Sequence, residues 1–164
     1  MTARTLVVLR HAEAAQGIGA ADEDRPLTER GIRDARQVGR ELASGGDVPD
    51  LVRCSTALRA RQTMREVTQD LPGDRTVEHD RSIYSGDVDT LLELVRETGD
   101  EIGVLLLVGH NPTVHRLVWT LVGDAFVDGF PAGGFVVIEF PDGWSEVVPG
   151  NGKLVRFWAP AISR

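Results

Sequence analysis

Apolar residues along this chain fall into two kinds of block, short unbroken runs and longer periodic ones. Thr5-Leu6-Val7-Val8-Leu9 and Val104-Leu105-Leu106-Leu107-Val108 carry neither charge nor alternation, the pattern of strands covered on both faces of a parallel sheet. Leu51-Val52-Arg53-Cys54 makes a shorter strand after the turn Asp47-Val48-Pro49-Asp50, and Thr76-Val77-Glu78 a brief third strand. The blocks between them repeat at helical spacing. Ile32, Ala35, Val38 and Leu42 predict a helix from Glu29 to Ser44, with Thr28 as N-cap and Gly45-Gly46 closing it. Leu58, Met64, Val67 and Leu71 predict a second helix within Ala57 to Asp70, stopped by Pro72-Gly73-Asp74. Val88, Leu91, Leu92, Leu94 and Val95 mark a third, ended near Gly99. Val114, Leu117, Val118, Leu121 and Val122 mark a fourth, with Pro112 suited to its first turn.

The chain closes with two strands, Gly134 to Phe140 and Leu154 to Ala159, joined through Pro141-Asp142-Gly143 and Pro149-Gly150-Asn151-Gly152. No helix fits between them, so this edge is expected to be antiparallel. Gln16 to Asp24 has no periodicity and reads as a loop at the mouth of any site on that side. Alternating strands and helices finished by a hairpin predict an α/β fold, a three-layer α/β/α sandwich whose mostly parallel central sheet has an antiparallel edge.

Composition narrows this picture. At 164 residues one domain, 1–164, is expected, and 41% hydrophobic with 26% charged residues is ordinary for a globular protein. No apolar run approaches the roughly 18 residues that span a bilayer, and Met1-Thr2-Ala3-Arg4 leads straight into the first strand without a leader pattern, so a cytoplasmic location is expected. A net charge of −7 argues against nucleic acid or anionic membrane as partner, so an anionic substrate must be drawn by a local cluster. Lys153 is the sole lysine, and arginine is the better fork for phosphate. Cys54, the sole cysteine, excludes an intrachain disulfide and reads as a buried structural thiol.

The candidate chemistry lies at strand ends. The first strand hands over to Arg10 and His11, where open α/β sheets bind ligands, although two ordinary polar loop residues would look the same. The fourth ends at Gly109-His110-Asn111-Pro112, and the second offers Ser55 and then Arg59 one turn into a helix. Crossover topology puts all three ends on one sheet edge. Two imidazoles and two guanidiniums there would repel each other unless an anion is bound, which points to phosphate. Flanking cations disfavour imidazolium, so His11 could stay neutral, attack phosphorus and carry the phosphoryl group while His110 and the arginines stabilise the equatorial oxygens.

Leu9-Arg10-His11-Ala12, Arg25-Pro26-Leu27-Thr28-Glu29-Arg30-Gly31, Ser55-Thr56-Ala57-Leu58-Arg59-Ala60-Arg61-Gln62-Thr63 and Val108-Gly109-His110-Asn111-Pro112, taken in order, resemble the histidine phosphatase (phosphoglycerate mutase-like) superfamily. The short chain and the Arg-Pro-Leu-Thr form are most similar to its bacterial SixA phosphohistidine phosphatases. The resemblance implies that His11 is the phosphorylated nucleophile, that Arg10, Arg59 and His110 complete the catalytic phosphate pocket, and that Arg25 helps to bind substrate. Ser55 joins it as a candidate substrate-binding residue. No metal or organic cofactor is implied, and the implied partner is a phosphorylated substrate such as a phosphohistidine protein.

One departure from the family pattern concerns the acid that protonates the leaving group. Asn111 follows His110 where some members carry an acid, which leaves Asp87 and Glu13 as candidate general acids. A positioned acid is worth about a hundredfold to ten-thousandfold. Imidazole leaves more readily than a sugar alkoxide, so its absence leans towards phosphohistidine. The alternatives are a small-molecule phosphomonoesterase of the same superfamily and a non-catalytic phosphoprotein-binding module. His79 and His115 fit no motif and are expected to face solvent or pack, Trp119, Trp144 and Trp158 to pack in the core, and Arg30, Arg33, Arg36 and Arg40 to form a wet helix face.

Overall fold

A computed structural model describes residues 3–161, so Met1 and Thr2 of the leader reading lie outside the described residues. β1 (Arg4–Arg10), β2 (Leu51–Cys54), β3 (Thr76–His79), β4 (Val104–Gly109), β5 (Phe135–Phe140) and β6 (Lys153–Trp158) form one sheet in the order β3-β2-β4-β1-β5-β6. The β3-β2, β2-β4 and β4-β1 pairs are parallel, and the β1-β5 and β5-β6 pairs antiparallel. The three-layer sandwich with an antiparallel edge is therefore what the chain adopts.

Side-chain alternation along β1 divides the core. Leu6 and Val8 point to one face, where they meet Leu105, Leu107, Val136 and the apolar stripes of α4 (Val88–Arg96) and α5 (Thr113–Val122). Val7 and Leu9 point to the other, against Leu106, Val108 and the stripes of α1 (Glu29–Ser44) and α2 (Leu58–Thr68). All four β1 residues are fully buried, which accounts for the absence of polar alternation. Cys54 is buried with them, and burial pushes its thiol up to about 12.

The helix α1 has the expected bounds because its ends are specified locally: Thr28 accepts from the Gly31 amide and the chain turns out at Gly45. The helix α2 is shorter than expected, ending at Thr68 rather than Asp70, and α4 ends at Arg96 with Glu97 as its C-cap. Of the closing strands, the first starts one residue later than expected and ends at Phe140 as expected, and the second shifts back by one residue at both ends. A short helix that the periodicity does not reveal, α3 (Arg81–Ser85), is capped by the Asp80 carboxylate accepting from the Ser82 amide. Single 3-10 turns occur at Asp22–Asp24 inside the expected loop and at Trp144–Glu146 between the closing strands, where no helix was expected.

Trp144 is buried and donates to the Ile102 carbonyl, and Trp158 stacks on Phe135. Trp119 departs from expectation. It lies on the outer side of α5 and is 60% exposed, because Leu117, Val118 and Leu121 take the inward positions. His79 is exposed, and His115 packs edge-on against Phe126 and Phe130. No helix among the described residues is long and apolar enough to cross a membrane.

Candidate active site

Parallel pairing brings the carboxyl ends of β1, β2 and β4 to one edge, and backbone bonds continue one residue beyond them. The His11 amide donates to Gly109 O and the Ser55 amide to Val108 O. Arg10 and His11, Ser55, and His110 therefore lie side by side. Arg59 enters from the first turn of α2. The rings of His11 and His110 are 5.1 Å apart, and His11 and Arg59 are only 8% and 6% exposed.

The chemistry of His11 follows from one hydrogen bond. Its Nδ1 lies 2.8 Å from the Ala12 carbonyl oxygen, which can only accept, so Nδ1 carries the hydrogen and Nε2 keeps a lone pair. Burial, aided by His110, Arg59 and Arg10, pushes the His11 pKa down to about 3 against the opposing pull of the Ala12 bond. Burial and the Arg59 charge likewise push His110 down to about 4. Both rings are neutral at pH 7. His110 Nε2 lies 2.7 Å from Ser55 Oγ, which also accepts from the Ala57 amide and can donate its own hydrogen to Nε2. In that arrangement His110 Nδ1 bears the hydrogen, and this atom is buried without a protein partner, as are Arg10 Nε and Arg59 Nε. Three donors of cationic or imidazole character, on residues gathered beside His11, are thus left without a protein partner.

Several residues that the sequence reading left aside hold this arrangement. On α2, Thr63 Oγ1 accepts from the Ala12 amide and donates to Arg59 O, and Gln62 Oε1 accepts from the Leu27 amide. One face of this helix thereby anchors the chain leaving β1. The Phe130 carbonyl accepts from both Arg10 Nη1 and Asn111 Nδ2, tying the two strand ends to one loop. Gly133, at φ 77, donates its amide to both Arg10 O and His11 O, a conformation that favours glycine.

The rim is dominated by Asp22, from the expected loop. Its Oδ2 accepts from Arg59 Nη2 at 3.1 Å and from the Tyr84 hydroxyl at 2.7 Å, its Oδ1 accepts from Arg25 Nε at 3.1 Å, and its backbone oxygen accepts from Arg59 Nη1. The Tyr84 hydroxyl foremost, then Arg59 and Arg25, hold the Asp22 carboxyl down at about 2. Tyr84 also meets His110 edge-on at 5.6 Å, and Glu23 pairs with Arg81 of α3. No motif or periodicity in the sequence marks Asp22 or Tyr84.

The structure brings together Arg10, His11, Arg59 and His110, with Arg25 at the rim. Ser55 is fully buried beneath His110 and is engaged with that ring. Asp87 does not join the group. It caps α4 through the Thr90 amide and hydroxyl, and these bonds lower its pKa, the opposite of what a general acid at pH 7 requires. The Glu13 carboxylate accepts from the Thr28 hydroxyl at 2.8 Å, locking the loop after β1 to the start of α1. Among the described residues no group of three or more His, Cys, Asp or Glu is placed to hold a metal ion.

An α/β sandwich with a neutral histidine beside arginines at its parallel strand ends presents a ligand site suited to a phosphoryl group. Residues 6–83 match the model of the histidine phosphatase superfamily, branch 1. The chain belongs to that superfamily and is of its SixA type. It is 36% identical over 161 residues to an uncharacterized protein of Mycobacterium tuberculosis, covering 93% of this chain and 99% of the relative. A structure from Nakamurella multipartitia, assigned as a SixA phosphohistidine phosphatase, superposes with a TM-score of 0.89 at 32% identity, covering 99% of each chain. The protein histidine phosphatase SixA complexed with tungstate superposes with a TM-score of 0.80 at 26% identity, covering 93% of this chain and 95% of the other.

Proposed function

We propose that this phosphatase removes the phosphoryl group from phosphohistidine in proteins, through a covalent phosphohistidine intermediate on His11. The observation that carries the reading is the Nδ1 bond to Ala12 O, which leaves a neutral, buried Nε2 as the only nucleophilic nitrogen of that ring. His11 Nε2 attacks phosphorus in line, and the bond to the leaving nitrogen breaks. Arg10, Arg59 and His110 donate to the three equatorial oxygens, where charge accumulates. Water then attacks phosphorus, the P–Nε2 bond breaks, and inorganic phosphate leaves with the Nε2 lone pair restored. Ser55 acts as a positioning residue for His110, and Arg25 meets substrate at the rim.

Two further observations favour phosphohistidine over alkyl phosphates. The two carboxylates considered as general acids are engaged elsewhere, Asp87 as a helix cap and Glu13 with Thr28. Relatives of the SixA type carry the names phosphohistidine phosphatase and protein histidine phosphatase, and the latter was solved with the tetrahedral oxyanion tungstate.

Rapid mixing with a phosphohistidine peptide and with an alkyl phosphate, followed by alkaline quench, tests the proposal. Wild type is expected to accumulate an acid-labile, alkali-stable phosphoenzyme and to prefer the peptide, and His11→Ala to form none and lose at least about a thousandfold in turnover. Comparable turnover by His11→Ala overturns the intermediate. Preference for the alkyl phosphate overturns the substrate.

A further inference from the structure

We propose that Asp22 is a specificity-determining residue that reads the leaving group, favouring one that presents an N–H or a positive charge and rejecting one that carries a carboxylate. As applied to phosphohistidine, this rests on the function proposed above.

In-line displacement puts the leaving group opposite the nucleophile. His11 lies on the floor of the site at 8% exposure, whereas the Asp22 side chain is 54% exposed at its rim, bonded to the outer fork of Arg59 and to Tyr84. A phosphoryl group seated on His11 therefore directs its leaving group out past Asp22. A carboxylate has about four acceptor positions. Arg59 and Tyr84 take the two on Oδ2 and Arg25 takes one on Oδ1, so one position on Oδ1 has no partner in the protein. The group is ionised throughout the physiological range, so it cannot serve as a proton donor. What it can do is accept a hydrogen bond from the substrate.

A phosphohistidine ring needs that service. If its far nitrogen carries a hydrogen, the electron pair of the breaking P–N bond returns to the near nitrogen and a neutral imidazole departs. If it does not, the leaving species is imidazolate, a far poorer leaving group. A carboxylate beside the ring favours the protonated form, with the proton drawn from solvent before the bond breaks. His11 Nε2 gains the P–N bond that the substrate loses, and no acid at the near nitrogen is required. The same fixed charge repels a leaving group with its own carboxylate.

The experiment compares wild type with Asp22→Asn on a phosphohistidine peptide and three esters: ethanolamine phosphate, phenyl phosphate and 3-phosphoglycerate. Inorganic vanadate affinity reports the state of the Arg59 cradle. Asp22→Asn is expected to lower kcat/KM for the peptide and ethanolamine phosphate about tenfold, to change phenyl phosphate least, and to raise 3-phosphoglycerate. An equal change across all four substrates, in step with weakened vanadate binding, would mean that Asp22 only positions Arg59 and would overturn the proposal, as would unchanged ratios. If wild type leaves the peptide untouched but hydrolyses esters, the phosphohistidine reading fails, while the ethanolamine phosphate to 3-phosphoglycerate ratio still decides the role of Asp22.

Discussion

A histidine with one ring nitrogen against a backbone carbonyl has only one nitrogen left for chemistry, and the choice is made by the chain itself. The Ala12 carbonyl fixes His11 as the tautomer with a free Nε2, and desolvation among arginines keeps the ring neutral. In nitrogen-15 NMR of the anion-free protein, His11 and His110 are expected to remain unprotonated from pH 8 down to pH 5, since burial puts their midpoints at about 3 and about 4. A His11 midpoint near the ordinary 6.5 would contradict this account of the nucleophile. At this scale the sequence is informative about which side chains gather, as for Arg10, His11 and His110 at strand ends and Arg59 in the first turn of α2. It was silent where the partner is a backbone oxygen such as that of Ala12 or Phe130, because every residue type offers one. It was silent also for Asp22, which reaches the site through a loop with no periodicity.

Elements with locally specified ends were legible, and those held by tertiary contacts were not. Thr28 and Gly45 delimit α1 in the sequence as in the structure. The single turn of α3, by contrast, is too short to show a period, and its Tyr84 is held by a residue 62 positions away. Close approach between elements was equally hidden. A Cβ on Gly31 would run into the Glu13 backbone, and one on Gly39 into the Val67 carbonyl where α1 crosses α2. Gly31→Ala would gain up to about 1 kcal/mol of helix propensity, but backbone cannot rotate out of the way as a side chain can. It is therefore expected to lower unfolding free energy by about 1–2 kcal/mol net in urea titration and to reduce turnover, because Glu13 lies two residues from His11. Gly129→Ala is the control. No atom lies within 4 Å of a Cβ there, so a change within about 0.5 kcal/mol is expected. Equal effects at both positions would show that the contact with Glu13 is not what demands glycine.

For the molecule as a whole, the two buried histidines make stability depend on pH. Both have folded pKa values below the ordinary 6.5, so as pH falls below 6.5 the unfolded chain takes up protons that the folded protein refuses. Stability is then full above pH 6.5 and declines below it. Between pH 6.5 and 5 the loss should be on the order of 2–4 kcal/mol in denaturant midpoints extrapolated to water, and a flat profile would mean that the rings are not desolvated in solution. Asp34 and Asp47, raised by burial, act in the opposite sense nearer the carboxylate range, so the window above pH 5 is the one to measure. The layered architecture was legible as a whole because fully apolar runs admit few arrangements other than a covered sheet. That sheet seats β1 between β4 and β5, with ladders on both sides and helices over both faces. Amides in such a strand exchange with solvent only when the protein unfolds globally. His11 follows directly on that strand, so the lifetime of a phosphoryl group carried on it would be governed by the arrival of water at phosphorus rather than by local opening of the backbone that leads to it.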